Sequence, residues 1–384
     1  MKRIENYDLS QHNTFGMKVR CALYIEYDTV AELQSLPWKE LPKPIMHIGA
    51  GSNLLFTGDF PGTVLHSAVK YMKFVDMGLD DVLMTVGSGV VFDDFVARAC
   101  EAGLWGAENL SLIPGEVGAS AVQNIGAYGA EVKDIIAGVV CLDTTDWTKT
   151  IFKTPELSYG YRDSMFKHNK GRYIVTSVLF RLTRKYSPKL DYGGVRAALE
   201  AKLPGITAAS AASAVQAASS AAARESGLQA SAPRLLTPQM VRDAIIGIRR
   251  AKLPDPAEKG SAGSFFKNPV ISREHFERIV AIAAQAAEGS RTDGSPVPDV
   301  PHYDLPDGTV KVPAAWLIDS LGFRGARHGG AMVYEKQPLV IVNETGSATP
   351  EDIISLEKSI IEKVQAAYGI ELHPEVEHIP HITA

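Results

Sequence analysis

Cysteine is scarce: Cys21, Cys100 and Cys141 are the only three among 384 residues. They are far apart, odd in number and matched to no metal-ligand spacing, which argues against a disulfide framework or a cysteine metal site and points to a reducing compartment. Long apolar runs are also missing. The longest, Ile135 to Leu142, is far below a membrane span. The opening residues, MKRIENYDLSQHNTFG, lack the apolar core of a secretion signal, so a soluble cytoplasmic protein is expected. Nor is there an excess of positive charge, since 39 Lys+Arg stand against 44 Asp+Glu for a formal net charge of −5. That balance offers no electrostatic footprint for a nucleic-acid backbone. What is present in quantity is apolar residue, 45% of the chain, enough for a sizeable core in two or three packed domains. Glycine (33) and proline (22) imply many tight turns, and the glycines are clustered.

The first half alternates short β-branched runs with turns and helices. Pro44 to Ile48 reads as a strand entering Gly49-Ala50-Gly51-Ser52-Asn53, and Val82 to Val86 as another entering Gly87-Ser88-Gly89. Phe92, Phe95, Val96, Ala99 and Cys100 fall at helical spacing and predict an amphipathic helix stopping near Gly103. Further strands are expected around Gly138 to Asp143 and Tyr173 to Leu182. From Ala208 to Ala223 the sequence holds ten alanines and four serines with one valine, too little apolar surface to anchor itself to a core. A frayed surface helix or disorder is expected there, and no chemistry. A second unit begins after Pro254. In it Thr349-Pro350-Glu351-Asp352 has the spacing of a capping box, followed by one buried face of Ile353, Leu356, Ile360, Val364 and Ala367, with Gly369 as the stop. A shorter helix is expected over Ala314 to Leu321, and a buried strand over Leu339 to Val342.

Two glycine-rich segments are the candidates for ligand binding. Gly49-Ala50-Gly51-Ser52-Asn53-Leu54 could bring backbone N–H groups to a pyrophosphate. Leu54 stands where the dinucleotide fingerprint needs its third glycine, and Leu55-Phe56-Thr57-Gly58-Asp59 does not read as the start of a helix. Pro114 to Gly129 alternates small residues and amide side chains over sixteen positions with almost no charge. Such a segment either leaves room for something flat or anionic, or is a tight turn with close backbone approach.

The motifs Asn13-Thr14-Phe15, Gly49 to Leu55, Pro114 to Gly129, Tyr159-Gly160-Tyr161-Arg162-Asp163-Ser164, Lys252 to Pro256, Gly263 to Pro269, Trp316 to Asp319 and His373-Pro374-Glu375-Val376, in that order along nearly the whole chain, resemble the UDP-N-acetylenolpyruvoylglucosamine reductase family. These are flavoenzymes that complete UDP-N-acetylmuramate in bacterial wall synthesis. The resemblance implies an α+β protein. Residues 1–70 and 71–253 would form the two subdomains of an FAD-binding fold of the vanillyl-alcohol oxidase type, with the Ala/Ser-rich insertion at about 204–236, and residues 254–384 would form a C-terminal substrate-binding domain. It implies non-covalent FAD, NADPH as electron donor, UDP-N-acetylglucosamine enolpyruvate as substrate, no metal, no nucleic-acid partner, no membrane insertion and action as a monomer. Two departures stand out: Ala50 replaces a usual glycine, which is tolerable if its φ stays negative, and the Ala/Ser tract has no family counterpart.

Carried over residue by residue, the resemblance makes Arg162, Ser264 and Glu375 catalytic. Hydride reaching the vinyl group puts negative charge beside the substrate carboxylate, which an arginine fork can hold, while the new carbanion needs a proton donor. Ser264 resembles that donor, and Glu375 the acid that helps stabilise the charge, for which burial would raise its pKa. FAD contacts are expected from Gly49, Gly51, Ser52, Asn53, Gly115, Gly118, Ala119, Gln123, Asn124, Gly126 and Ala127. Substrate contacts are expected from Tyr161, Tyr192, Lys252, Asn268, Tyr303 and Gln337. Asp191-Tyr192-Gly193-Gly194 and the length before Lys252 look like the loop-bearing type I of the family, with Tyr192 folded over the bound substrate and the Ala/Ser tract outside the diphosphate site. A flavin oxidase tethering its cofactor to Cys or His would leave the Ser264 and Glu375 motifs unexplained.

Overall fold

Tyr173 to Thr183 reads YIVTSVLFRLT, eleven residues of mostly β-branched and apolar type that favour extended backbone. In the computed structural model they are the central strand of the largest sheet. The structure describes residues 1–202, 236–290 and 299–380. The Ala/Ser tract lies outside the described residues. By backbone contacts the chain divides into two units, one of Met1–Ile4, Tyr24–Gly49 and Val64–Ala251, the other of Glu5–Leu23, Ala50–Thr63 and Lys252–Ala384.

The N-terminal segment carries β1 (Lys2–Asp8), β2 (Arg20–Tyr27), helix α1 (Val30–Gln34), β3 (Ile45–Ile48), β4 (Leu54–Phe56) and β5 (Phe60–Ser67). Four of these strands form a sheet in the order β1-β2-β5-β3. In the first unit, β6 (Met72–Asp76) and β7 (Asp81–Gly87) lead into α2 (Phe92–Glu101) and α3 (Val117–Gln123). A short hairpin of β8 (Gly126–Ala127) and β9 (Ala130–Glu131) follows, then β10 (Ile136–Asp143), β11 (Lys149–Lys153), α4 (Met165–His168) and β12 (Tyr173–Thr183). The five-stranded antiparallel sheet runs β11-β10-β12-β7-β6. Phe92, Phe95, Val96, Ala99 and Cys100 of α2 are all buried, in one core with Val117 and Ala121 of α3 and with Val178 and Phe180 of β12. Phe95 stacks on Phe180 with ring centroids 4.1 Å apart. The unit ends in α5 (Val195–Lys202) and α6 (Pro238–Lys252). Arg242 of α6 grips Asp93 of α2 through two hydrogen bonds of 2.6 and 2.8 Å. Burial disfavours the charge on Asp93, but Arg242 and the Leu112 N–H outweigh it and hold its pKa below the usual carboxylate range.

In the second unit β13 (Gly260–Ser261), β14 (Val270–Ile271), α7 (Arg273–Ser290), β15 (Tyr303–Asp304), β16 (Val310–Lys311) and α8 (Ala314–Ser320) precede β17 (Arg327–His328), β18 (Ala331–Val333), β19 (Ile341–Asn343), α9 (Pro350–Tyr368) and β20 (Glu377–Ile379). Sheets run β13-β19-β18-β17 and β14-β16-β15, and β20 pairs in parallel with β4. Helix α9 begins with the expected capping box, Thr349 and Asp352 each bonding the other's backbone N–H, and ends at Gly369 with φ 66°. The strand expected from Leu339 starts at Ile341, because Leu339 and Val340 are taken up by a turn in which the Val340 N–H donates to Gln337 O. Among the described residues no helix is long and apolar enough to cross a membrane, and no cluster of metal-ligating side chains occurs.

Candidate active site and cofactor cradle

The sixteen-residue glycine-rich segment contains a helix that its composition does not announce. Glu116 stands at the N-cap of α3, whose Val117 and Ala121 sink into the core. The Val117 and Gly118 N–H groups donate to Val90 O and Ser88 O. The segment therefore combines close backbone approach with a cradle. Past α3 the chain turns through Asn124, which has φ 46°.

The Tyr159 to Ser164 motif closes around that turn. Tyr159 Oη donates to Ala121 O at 3.0 Å, Ser164 Oγ to Val122 O at 2.6 Å, and Arg162 to Asn124 O at 3.4 Å and Gly126 O at 2.9 Å. Asn124 Nδ2 returns a 2.7 Å bond to Gly160 O. The Tyr159 and Ser164 hydroxyls satisfy carbonyls that a short helix leaves unbonded at its C-terminal end, and the Arg162 bonds carry the network on into β8. They also fix the Arg162 guanidinium, which lies 5.6 Å from the centre of the Tyr161 ring. Gly126 is required here, since a Cβ would stand 3.1 Å from Arg162 Nη1 and 2.9 Å from Ala130 O. Lys167 Nζ donates to Gln123 Oε1 at 2.9 Å and to Arg162 O at 3.1 Å. Gln123 Nε2 is buried and has no hydrogen-bond partner among the described residues.

Tyr192 joins the same cradle. It is 41% exposed, and its Cβ lies 3.1 Å from where a side chain on Gly129 would begin. Gly193 and Gly194 have φ of 64° and 77°, and Tyr128 packs against Gly193 too closely for a side chain there.

In the second unit, Ser264 and Glu375 are brought to neighbouring positions. The Glu375 N–H donates to Phe265 O and the Lys267 N–H to His373 O, while the Phe265 N–H donates to Leu339 O. Ser264 thus sits between Gly263, with φ 72°, and the wholly buried Phe265. Both Ser264 and Glu375 are half-buried. Asn53 ties the glycine turn to this ladder: its Nδ2 donates to Glu375 O at 3.1 Å and its carbonyl accepts from the Glu377 N–H. Gly51 has φ 68°, whereas Ala50 is not among the residues with positive φ, so the alanine is accommodated. Asn268 Oδ1 accepts from the N–H of Ala314 at the start of α8. Gln337 lies in the turn preceding Leu339. Lys252 ends α6, exposed, and Tyr303 stands on the separate β14-β16-β15 sheet with Lys311 Nζ 5.7 Å from its ring.

One group of polar residues at the cradle escaped the sequence reading. His66, Glu26, Tyr24 and Glu116 form a hydrogen-bonded chain beside Gly49. The one signal for it in the sequence is Glu116 itself, an acidic residue near the start of a stretch that is otherwise without charge. Within the first unit, the residues present fit a flat, anionic dinucleotide cofactor: a small-residue helix lies against Gly49, and among the described residues the buried amide nitrogen of Gln123 lacks an acceptor.

The FAD binding domain matches residues 23–147, and the UDP-N-acetylenolpyruvoylglucosamine reductase C-terminal domain matches residues 255–379. A solved structure of the UDP-N-acetylenolpyruvylglucosamine reductase from Thermus caldophilus superposes with a TM-score of 0.61 at 22% identity, covering 99% of this chain and 98% of that one, and so shares the α+β fold. Among curated relatives, the UDP-N-acetylenolpyruvoylglucosamine reductase of Bacteroides fragilis strain YCH46 is 42% identical over 377 residues, 98% of this chain and 99% of that protein. The proteins of the same name from Porphyromonas gingivalis strain W83 and Chromobacterium violaceum are each 40% identical, covering 98% and 96% of this chain and the same shares of their own lengths. Likeness at this level along essentially the full length, with both domains matched in order, means that the chain belongs to the UDP-N-acetylenolpyruvoylglucosamine reductase family.

Proposed function

We propose that this protein reduces UDP-N-acetylglucosamine enolpyruvate to UDP-N-acetylmuramate for peptidoglycan precursor synthesis, as a monomer in the cytoplasm, with non-covalent FAD and with NADPH as electron donor. The observation that carries the reading is the locking of Arg162 onto the carbonyls of Asn124 and Gly126, which presents a fixed guanidinium at the end of the glycine-rich cradle. When bound, FAD supplies the hydride, passed on from NADPH, that the vinyl group accepts. Arg162 holds the substrate carboxylate while charge accumulates beside it. Ser264 donates the proton to the new carbanion carbon, and Glu375, whose N–H bonds the Phe265 carbonyl beside it, helps to stabilise the charge. Gly49, Gly51, Ser52, Asn53, Gly115, Gly118, Ala119, Gln123, Asn124, Gly126 and Ala127 hold the cofactor. Tyr161, Tyr192, Lys252, Asn268, Tyr303 and Gln337 hold the UDP-sugar. Residues 1–70 and 71–253 serve as the two FAD-binding subdomains and 254–384 as the substrate domain.

The visible spectrum tests this directly. Purified protein should be yellow, release FAD on denaturation, bleach with NADPH in the absence of oxygen, and recolour when the enolpyruvyl substrate is added. A colourless protein that takes up no FAD, or bleaching without recolouring, would sink the assignment.

Tyr192 offers a finer check. A tyrosine beside Gly129 buries its ring on bound substrate and offers a hydroxyl to an anion. Tyr192→Ala should raise the substrate KM about tenfold, roughly 1.4 kcal/mol of binding, with kcat much less affected. An unchanged KM in steady-state assays would remove Tyr192 from the substrate site.

A further inference from the structure

His66 lies on β5, 7% exposed, with a carboxylate on each ring nitrogen. Its Nε2 is 2.8 Å from Glu116 Oε1, and its Nδ1 is 3.0 Å from Glu26 Oε2. Tyr24 completes the chain, its Oη 3.0 Å from both His66 Nδ1 and Glu26 Oε2. A neutral imidazole has one donor nitrogen, so two carboxylate partners favour the doubly protonated, charged ring. The other oxygen of Glu116, Oε2, stands 3.4 Å from the point where a Cβ on Gly49 would lie, and Ala119 Cβ is 3.2 Å from the same point. Glu116 therefore forms part of the wall of the first glycine turn, next to two residues assigned to FAD.

We propose that His66 is a positioning residue for FAD: it holds Glu116 in the wall of the Gly49 turn and its charge offsets the repulsion between that carboxylate and the cofactor's diphosphate. The inference rests on the reading that this chain binds FAD, and it adds a pH dependence to that binding.

Charged and titratable groups face His66 or its immediate partners from several elements. From β2 come Glu26, Tyr24 and Tyr27; from β3, His47; from the start of α3, Glu116; and from β1, Lys2, whose Nζ is 5.9 Å from the Tyr24 ring. Burial raises the Tyr27 pKa and keeps the phenol neutral. Burial, reinforced by the charge on His66, pushes His47 down to about 3, so it too is neutral. Burial opposes the charge on His66 as well, but the bonds to Glu116 and Glu26 outweigh it and raise its pKa above the ordinary value. The Glu26 carboxyl, despite burial, is held low by His66 and Tyr24. Below the raised His66 pKa the Glu26, His66 and Glu116 trio carries one net negative charge. Above it the trio carries two, which would weigh against a dianionic diphosphate held at the Gly49 turn. FAD affinity is therefore full on the acid side of that pKa and falls as pH rises through it.

The test is titration of apoprotein with FAD, followed by quenching of flavin fluorescence, from about pH 6 to about pH 9. The dissociation constant of the unaltered protein should rise about tenfold across the range, the size expected for one charge at short range in a partly screened site. His66→Gln, which cannot charge, should give a flat profile. Glu26→Gln, which removes the carboxylate on the other ring nitrogen, should move the fall to lower pH. Calorimetry of FAD binding to unaltered protein in two buffers of different ionisation enthalpy should show proton uptake on the alkaline side, which decides the matter even where His66→Gln fails to fold. A His66→Gln profile as steep as that of the unaltered protein, or binding without proton uptake, would overturn the inference and leave the FAD reading standing. No binding at any pH would overturn both.

Discussion

Replacing Ser264 with alanine is expected to slow reduction of the enolpyruvyl group by about a hundredfold to ten-thousandfold, the range typical of a lost proton donor, while leaving bleaching of the flavin by NADPH nearly unchanged. Only the second half-reaction needs a proton delivered to carbon. The surroundings make the substitution a clean one. Ser264 is half-buried between Gly263 and Phe265, and its immediate neighbours are held by bonds between backbone atoms: Phe265 N–H to Leu339 O, Glu375 N–H to Phe265 O, Lys267 N–H to His373 O. Removing one hydroxyl leaves that ladder intact. A serine hydroxyl is a weak acid, so its role requires hydrogen-bond donors that stabilise the alkoxide left behind. Stopped-flow measurement of the two half-reactions separates the outcomes. Equal loss in both would point to a damaged flavin site, and no loss in the second would take Ser264 out of the chemistry.

Gly51→Ala is expected to cost about 3 kcal/mol or more of stability and to abolish FAD retention. Gly51 has φ 68°, a left-handed conformation that costs an alanine about 1 kcal/mol. Steric overlap costs more. A Cβ would stand 1.9 Å from His12 O, 2.6 Å from His12 C and 2.8 Å from Asn13 Cα. All three are backbone atoms and cannot swing aside. The loop they belong to is itself held by Asn13, 3% exposed, whose side chain bonds Leu9 O, Met17 O and the Met17 N–H. Gly103→Ala is the control for backbone strain alone, because Gly103 has φ 71° and a Cβ there would meet nothing within 4 Å. Urea unfolding and the FAD content of the purified variants measure both effects. A Gly51→Ala protein as stable and as yellow as the unaltered one would mean that the turn adopts another conformation.

The elements that were legible in the sequence are those whose cause is local. Helix α2 follows from apolar residues at helical spacing, and α9 from a capping box, one apolar face and a terminal glycine. The strands entering both glycine turns follow from β-branched runs ended by residues that permit sharp turns. Helix α3 was not legible, because Gly-Ala-Ser-Ala carries no periodic signal and the helix is set by burial of Val117 and Ala121 beneath it.

By itself the amino-acid sequence determined the order of motifs, and with it the family and the residue types available for the reduction. Which donor meets which acceptor was decided only by the tertiary structure. The side chains of Tyr159, Arg162 and Ser164 reach carbonyls some 36 to 42 residues earlier in the chain, His66 joins Glu26 and Glu116 from 40 and 50 residues away, and Asn53 meets Glu375 across 322. The physical reason is that spacing along the chain encodes local backbone preference, whereas pairing of polar groups over such separations depends on which surfaces burial brings together. A glutamate in a glycine-rich turn looks the same in sequence whether it faces water or a buried histidine.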